Sequence, residues 1–258
     1  MKVIILCGGT GTRMKEETEF KPKPMVEIGG KPILWHIMKI YAHYGFNDFI
    51  LALGYKGNYI KEYFLNQKFF ADNFTLHTKT GNTQIMRNDA DSTRDDFTIT
   101  FVDTGEETLP GERILRLKDY IPPGDENFMV TYGDGVSDIH IKKLVEFHKK
   151  QNTIGTITGV HPRSKYGLLS TGTNGVITSF TEKPVLTEWI NGGFMVFKKD
   201  VFDYLKPGEY EHAMLKRLVS QRQLSLYIHK GFWHCMDTYP DVDSLNMLWT
   251  EDPKWKVW

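Results

Sequence analysis

The sequence predicts an α/β protein whose mixed, mostly parallel sheet is flanked by helices and carries a small β-rich insertion. The chain opens on "KVIILC", a continuous apolar run ending in glycines, as a strand buried on both faces requires. Strand and helix patterns then alternate twice, which favours parallel strands joined by right-handed crossovers. Farther on, several segments alternate apolar with polar residues, the pattern of antiparallel strands covered on one face.

After the first strand, "PILWHIMKIYAHYG" puts Ile33, Leu34, Ile37, Met38, Ile40 and Tyr41 at helical spacing, with Pro32 at the first turn and Gly45 at the end. "DFILAL" reads as a second strand and "NYIKEYFLNQ" as a second amphipathic helix. "FTLHTKT", "TQIMRN" and "FTITFVDTG" are expected to pair antiparallel, with the polar "NDADSTRDD" between two of them as an exposed, mobile turn. "GERILRLKDYI" is helical in pattern, and "ENFMVTYGDG" returns to a buried central strand. "IHIKKLVEFHKKQ" is a helix with one apolar face, leading into the strand "TIGTITGV". "GLLST", "GVITSFTEKP" and "GGFMVFKKD" read as short strands, "EHAMLKRLVSQ" as a helix, "QLSLYIHK" as a strand and "DVDSLNMLWTE" as the closing helix. With no linker, repeat or low-complexity tract, residues 1–258 are expected to form one domain, its active face at the carboxyl ends of the parallel strands.

Composition narrows the chemistry. A hydrophobic fraction of 40% and a charged fraction of 25% are ordinary for a globular protein. The net charge of zero offers no global field to attract nucleic acid or an anionic membrane, so phosphate binding has to be local. Cys7 and Cys235 have no metal-ligand spacing and are expected to be reduced thiols. The apolar run in "MKVIILCGG" is too short for a signal peptide or a membrane span, which points to the cytoplasm.

"LCGGTGTRM", residues 6–14, has the look of a phosphate-binding loop. A P-loop needs GxxxxGK[ST], but the sixth residue is Arg13 counted from Gly8 and Met14 counted from Gly9. A dinucleotide fingerprint needs GxGxxG; Gly9 and Gly11 fit, but Met14 stands at the third position. The prolines of "EFKPKP" also disfavour the helix that such a loop should open. What remains is a glycine loop with hydroxyls (Thr10, Thr12), a fixed cation (Arg13), and Lys23 held in extended backbone between Pro22 and Pro24. The competing reading is a strand-to-helix turn with a solvated basic flank.

"FMVTYGDGVSD" ends a buried strand on Gly133, Asp134 and Gly135, so Asp134 is well placed to hold a cation. Its other possible role, capping the next helix, suits Asp138 better. Asp237, in "GFWHCMDTYPDVDSL", follows a strand and precedes the last helix; from the residues alone it is either a second carboxylate ligand or a helix cap. His234 reads as a packed neighbour, because magnesium prefers oxygen. Trp35, Phe101 and Tyr132 read as core aromatics without a role.

"LCGGTGTRM…KPKPMVEIGGKPIL" resembles the signature of the sugar-1-phosphate nucleotidyltransferases, with Cys7 and Met14 where alanine and leucine are commoner. The resemblance implies a Rossmann-like fold of the nucleotide-diphospho-sugar transferase type. It implies a nucleotide site at Leu6, Gly8, Gly9, Thr10, Gly11, Thr12, Arg13, Lys23 and Gly133, with base and ribose contacts at Thr104, Gly111 and Arg113. In such enzymes the late "DT" joins "GDG", so Asp134 and Asp237 become the ligands of Mg2+, and Arg13, Lys23 and Asp134 the catalytic set. "KYGLL", "SFTEKP" and "INGGFMVF" imply a sugar-phosphate pocket from Tyr166, Gly167, Glu182, Lys183, Asn191, Gly192 and Gly193. "GYKGNYIKEYF", "VDTG", "TYGDGVSDI" and "GFWHCMDT" are most like the branch that uses CTP and glucose 1-phosphate, feeding deoxysugar and surface-polysaccharide synthesis. Thymidylyl or uridylyl transfer, a glycosyltransferase of similar fold and a nucleotide-sugar sensor stay open. The glycosyltransferase should show DxD where this chain has "GDG", and the sensor should have lost Arg13, Lys23 or an aspartate, all present. A homo-oligomer is expected, with segment 74–101 and the tail "WTEDPKWKVW" as subunit contacts.

Overall fold

The computed structural model describes residues 1–14, 18–71, 73–86 and 95–258. In chain order, β1 (Val3–Leu6), the two-residue strands β2 (Glu27–Ile28) and β3 (Lys31–Pro32), and helix α1 (Ile33–His43) lead to β4 (Asp48–Leu53) and α2 (Gly57–Ala71). A hairpin, β5 (Asn73–His77) with β6 (Asn82–Met86), precedes β7 (Thr98–Asp103), α3 (Pro110–Arg116), β8 (Asn127–Tyr132) and β9 (Gly135–Ser137). Helix α4 (Ile141–Gln151) leads to β10 (Gly155–Val160), a second hairpin of β11 (Leu168–Thr171) and β12 (Ile177–Thr181), then β13 (Ile190–Asn191) and β14 (Met195–Lys198). The chain closes with α5 (Glu211–Ser220), β15 (Leu224–Ile228), β16 (Trp233–Cys235) and α6 (Tyr239–Glu251).

The main sheet has eight strands in the order β13-β10-β14-β8-β1-β4-β7, with β15 paired to β10. β8, β1, β4 and β7 run parallel, β14 is antiparallel to β8 and β10, and β15 is parallel to β10. It is therefore the mixed, mostly parallel sheet flanked by helices that the sequence predicts. Side-chain alternation along β1 explains why its run is apolar throughout. Val3 and Ile5 join one core with α1, α4 and α6, while Ile4 joins the other with α3 and α5. Between β13 and β14, Gly193 and Phe194 both take positive φ (77° and 47°) and interrupt the strand.

Several expectations are corrected. "FTITFVD" does not pair with its antiparallel neighbours; as β7 it continues the parallel sheet beside β4, because Ile99 and Phe101 find the main core there. "NDADSTRDD" lies mostly outside the described residues. The cap of α4 is His140, whose ring nitrogen accepts from the Lys143 amide; Asp138 instead pairs with His229 at 2.9 Å. The tryptophan-rich tail is core within its own chain. Trp255 is fully buried against His36, Trp249 and Phe232, and Trp258 meets the edge of Trp35 at 5.6 Å.

His36 shows how that tail is held. Trp255 Nε1–H donates to His36 Nδ1 at 3.3 Å, which leaves Nε2–H to donate to the Ile28 carbonyl at 2.8 Å. Burial pushes the imidazole down to about 4, and burial does the same to His148, which bonds Thr156 and Asn127. Both are therefore neutral when folded and ordinary when unfolded, so the unfolded chain binds more protons below its own value. Stability should be fully present above about pH 6.5 and fall as pH drops toward about 4, by up to about 3 kcal/mol per histidine. Urea midpoints between pH 7.5 and 4.5 should show this fall. His148→Gln, which keeps hydrogen-bonding atoms but does not titrate, should make it shallower.

Candidate active site

The parallel strands β1, β4, β7 and β8 end at one edge of the sheet, and the chain turns there into the segments that build the site. β1 runs into Gly8, and the guanidinium of Arg113 fills the space that a side chain at Gly8 would need. Arg113 is buried, and its terminal nitrogens donate to the carbonyls of Gly8, Leu53, Gly105 and Glu106 and to the Thr104 hydroxyl at 2.7–3.0 Å. It thus ties the glycine loop to the ends of β4 and β7. Thr18 Oγ1 closes the far side, donating to Gly11 O and Met14 O at 3.1 and 2.9 Å.

Lys23 is not in the extended backbone expected between its prolines: only Pro22 is extended, Lys23 opens a single 3-10 turn, and Pro24 follows it into the core. Gly133 permits the approach: a Cβ there would lie 2.9 Å from a Pro24 ring carbon and from the Leu6 carbonyl. Asp134 follows Gly133. Asp237 arrives on the β9–β16 ribbon, in which Cys235 pairs with Gly135 and the Met236 amide donates to Asp134 O at 2.8 Å. Its backbone is then fixed by a capping box: Asp241 Oδ2 accepts from the Asp237 amide and from the Thr238 amide and hydroxyl.

The result is a charge cluster. Lys23 Nζ lies 2.5 Å from Asp134 Oδ2 and 2.7 Å from Asp237 Oδ1, and Arg13 Nη1 lies 2.7 Å from Asp237 Oδ2. Burial works against the Lys23 charge, but Asp134 and Asp237 outweigh it and hold its pKa above the usual lysine value. Burial likewise opposes ionisation of Asp237, and Lys23 and Arg13 outweigh it, so its carboxyl titrates below the usual range. Cys235 approaches the same carboxylates; burial, then Asp134 and Asp237, push its thiol up and keep it protonated.

Two cavities meet on this cluster. The first, about 320 Å³, is lined by Leu6, Gly8, Gly9, Gly11, Thr12, Lys23, Gly133 and Arg113, together with Thr108 and Pro110. The second, about 260 Å³, is lined by Asn191, Gly192, Thr131, Trp233 and Cys235. Arg13, Tyr132, Asp134 and Asp237 face both. An anion in one cavity and an anion in the other would share the same carboxylates and cations, the arrangement that a group transfer between two phosphorylated molecules needs.

Not every expected residue is at the cavities. Thr10 lines neither. Thr104 is buried with its hydroxyl given to Leu53 O at 2.6 Å, and Gly111 packs against the backbone of 209–211, so both lie behind the wall. Arg113 reaches the wall, but its terminal nitrogens are spent on loop carbonyls, which makes it a support of the loop. Tyr166, Gly167, Glu182 and Lys183 flank the open end of the β11–β12 hairpin, a separate two-stranded sheet. Tyr166 is 78% exposed there, and none of the four lines either cavity. Gly193 is set just behind, donating to Asn191 Oδ1 at 3.0 Å. Tyr132, read from the sequence as core, stands at both cavities; its place as the last residue of a strand running into "GDG" was the available signal.

This fold and site define a nucleotide-handling transferase, and the chain belongs to the nucleotidyl transferase family, whose model matches residues 2–250. It is 46% identical to the probable glucose-1-phosphate cytidylyltransferase of Bacillus subtilis (strain 168), each chain covered over 100% of its length. It is 42% identical, again over 100% of both chains, to the glucose-1-phosphate cytidylyltransferase of Salmonella typhimurium. The fold is similar to that of a UDP-glucose pyrophosphorylase complexed with UDP-glucose, at a TM-score of 0.69 and 20% identity over 97% of this chain and 98% of that one. It is the Rossmann-like nucleotide-diphospho-sugar transferase fold. No helix among the described residues is long and apolar enough to cross a membrane.

If Arg113 shapes the loop, Arg113→Lys should not replace it, because an ammonium cannot reach carbonyls on both sides of a planar fork. Denaturant unfolding should show a loss on the order of 3 kcal/mol, from several buried carbonyls left without donors. Nucleotide affinity should fall with it.

Proposed function

We propose that the protein transfers CMP from CTP to α-D-glucose 1-phosphate, giving CDP-glucose and pyrophosphate. The observation that carries a transfer reaction is the pair of cavities sharing Arg13, Asp134 and Asp237. The choice of cytosine and glucose is supported by full-length similarity to cytidylyltransferases at 42–46% identity. Thymidylyl or uridylyl transfer has less support.

In this reading the first cavity takes the triphosphate and the second the sugar phosphate. The second ionisation of a phosphate monoester lies at about pH 6, so the attacking oxygen is already an anion near neutrality and no general base is needed. That oxygen forms a bond to the α-phosphorus while the bond from this phosphorus to the bridging oxygen breaks, and the electron pair leaves with pyrophosphate. Lys23 and Arg13 offset the negative charge gathered on the phosphates, and Gly8, Gly9 and Gly11 bring backbone close to them. One phosphoanhydride replaces another, so the reaction should run readily in both directions.

The donor set fits Mg2+. The ligand atoms of Asp134, Cys235 and Asp237 lie within 4.8 Å of one another, and the two carboxylates already hold one cation, the Lys23 ammonium. Asp134 and Asp237 would hold the metal through oxygen, with the protonated Cys235 left out. Bound there, Mg2+ would neutralise phosphate charge as a Lewis acid. Exposed apolar side chains on the hairpins, among them Leu76, Met86, Leu169 and Phe180, support a homo-oligomer, and a cytoplasmic setting accords with two free thiols.

Pyrophosphate release, measured with four nucleoside triphosphates and a panel of sugar 1-phosphates in the presence of Mg2+, should be fastest with CTP and glucose 1-phosphate. It should be abolished by a chelator. Release only with UTP or dTTP would overturn the cytidylyl assignment, and release with none would favour a nucleotide-sugar sensor.

A further inference from the structure

Tyr132 is the side chain between the two cavities that carries no formal charge, and its hydroxyl is part of a chain of hydrogen bonds leading away from the site. Tyr132 Oη donates to Glu211 Oε1 at 3.0 Å and accepts from Asn191 Nδ2 at 3.1 Å. Asn191 Oδ1 in turn accepts from the Gly193 amide at 3.0 Å. The other oxygen of Glu211, Oε2, is buried and has no hydrogen-bond partner among the described residues. Two features fix it in place. Glu211 is the first residue of α5, where the helix dipole favours a carboxylate. Gly111, on α3, has no side chain and so lets the α5 entry approach to within 2.7–2.9 Å of where a Cβ would stand.

We infer that Glu211 is a positioning residue for the acceptor side of the reaction: through Tyr132 it holds the nitrogen end of the Asn191 amide in the second cavity, while the Gly193 amide holds the oxygen end. The inference rests on reading that cavity as the sugar-phosphate side. A tyrosine hydroxyl has one hydrogen. Glu211 Oε1 takes it, so the hydroxyl oxygen must accept from Asn191. The amide nitrogen is then turned toward Tyr132 and its oxygen toward the Gly193 N–H. One N–H and one oxygen lone pair of Asn191 are left over, a donor and an acceptor at fixed positions, suited to neighbouring hydroxyls of a hexose. Without Glu211 the tyrosine hydrogen is free to turn toward Asn191. The amide then loses the constraint at its nitrogen end. Glu211 lines neither cavity, so it acts through Tyr132.

The test is a double-mutant cycle in the full chain, assayed by pyrophosphate release with CTP and glucose 1-phosphate. Glu211→Ala should raise KM for glucose 1-phosphate about fivefold to tenfold, the worth of one hydrogen bond, while KM for CTP changes less than about twofold. Tyr132→Phe should do the same, and adding Glu211→Ala to Tyr132→Phe should change nothing further, because the relay is already cut. Glu211→Gln, which can still accept from Tyr132, should stay within about threefold of the parent. Equal effects of Glu211→Ala with and without Tyr132→Phe would mean that Glu211 only supports the helix, and the relay would be wrong. A shift in KM for CTP instead of the sugar phosphate would also overturn it. An inactive parental enzyme overturns the functional reading and this inference together; an active parent whose Glu211→Ala variant keeps its KM overturns the relay alone.

Discussion

Lys23 places one ammonium between two carboxylates that come from 111 and 214 residues away along the chain. At side-chain exposures of 13%, 24% and 21%, none of the three is well solvated, and each carboxylate meets the ammonium directly. The cluster therefore does two things. It ties the proline-flanked turn, the end of the central strand and the start of the last helix into one place, and it gathers opposite charges where two cavities touch. Arg13, far more exposed, adds a second cation on the Asp237 side.

The surrounding structure can be read as what this cluster requires. Pro24 reaches the strand end only because Gly133 has no side chain. Asp237 reaches Asp134 because β16 pairs with β9, and it is held there because Asp241 collects three donors from Asp237 and Thr238. Burial opposes ionisation of Asp241 as well, and those bonds outweigh it, so its carboxyl stays below the usual range. On the opposite side Arg113 plays the same part for the glycine loop, through backbone carbonyls instead of carboxylates.

Much of this was legible in the sequence, for definite reasons. β1, β4 and β8 announced themselves as largely apolar runs, and the site lies where their carboxyl ends meet glycine. Lys23 and Asp134 could be picked out because each is a charged residue flanked on both sides by proline or by glycine, and Arg13 because it is the fixed cation that follows the glycine loop. What escaped depends on contacts that local pattern does not encode. β7 alternates like an exposed strand and yet lies parallel at the sheet edge beside β4. Trp255 and Trp258 suggested a subunit contact because no local element could cover them, and His36 and Trp35, more than 200 residues earlier, do so. Arg113 has the charge of a phosphate ligand, and only the fold reveals that carbonyls take it up. Tyr132 and Glu211 are joined across 79 residues by one hydrogen bond, which no spacing rule would flag.

If the cluster is the reaction centre, Lys23 is needed for the chemical step and not only for folding. Single-turnover transfer of labelled CMP from CTP to glucose 1-phosphate by Lys23→Ala, with saturating substrates and folding checked by circular dichroism, tests this most directly. The rate should fall by about two to three powers of ten, as for loss of one preorganised donor at a developing charge. A folded Lys23→Ala protein that kept most of its rate would contradict the account.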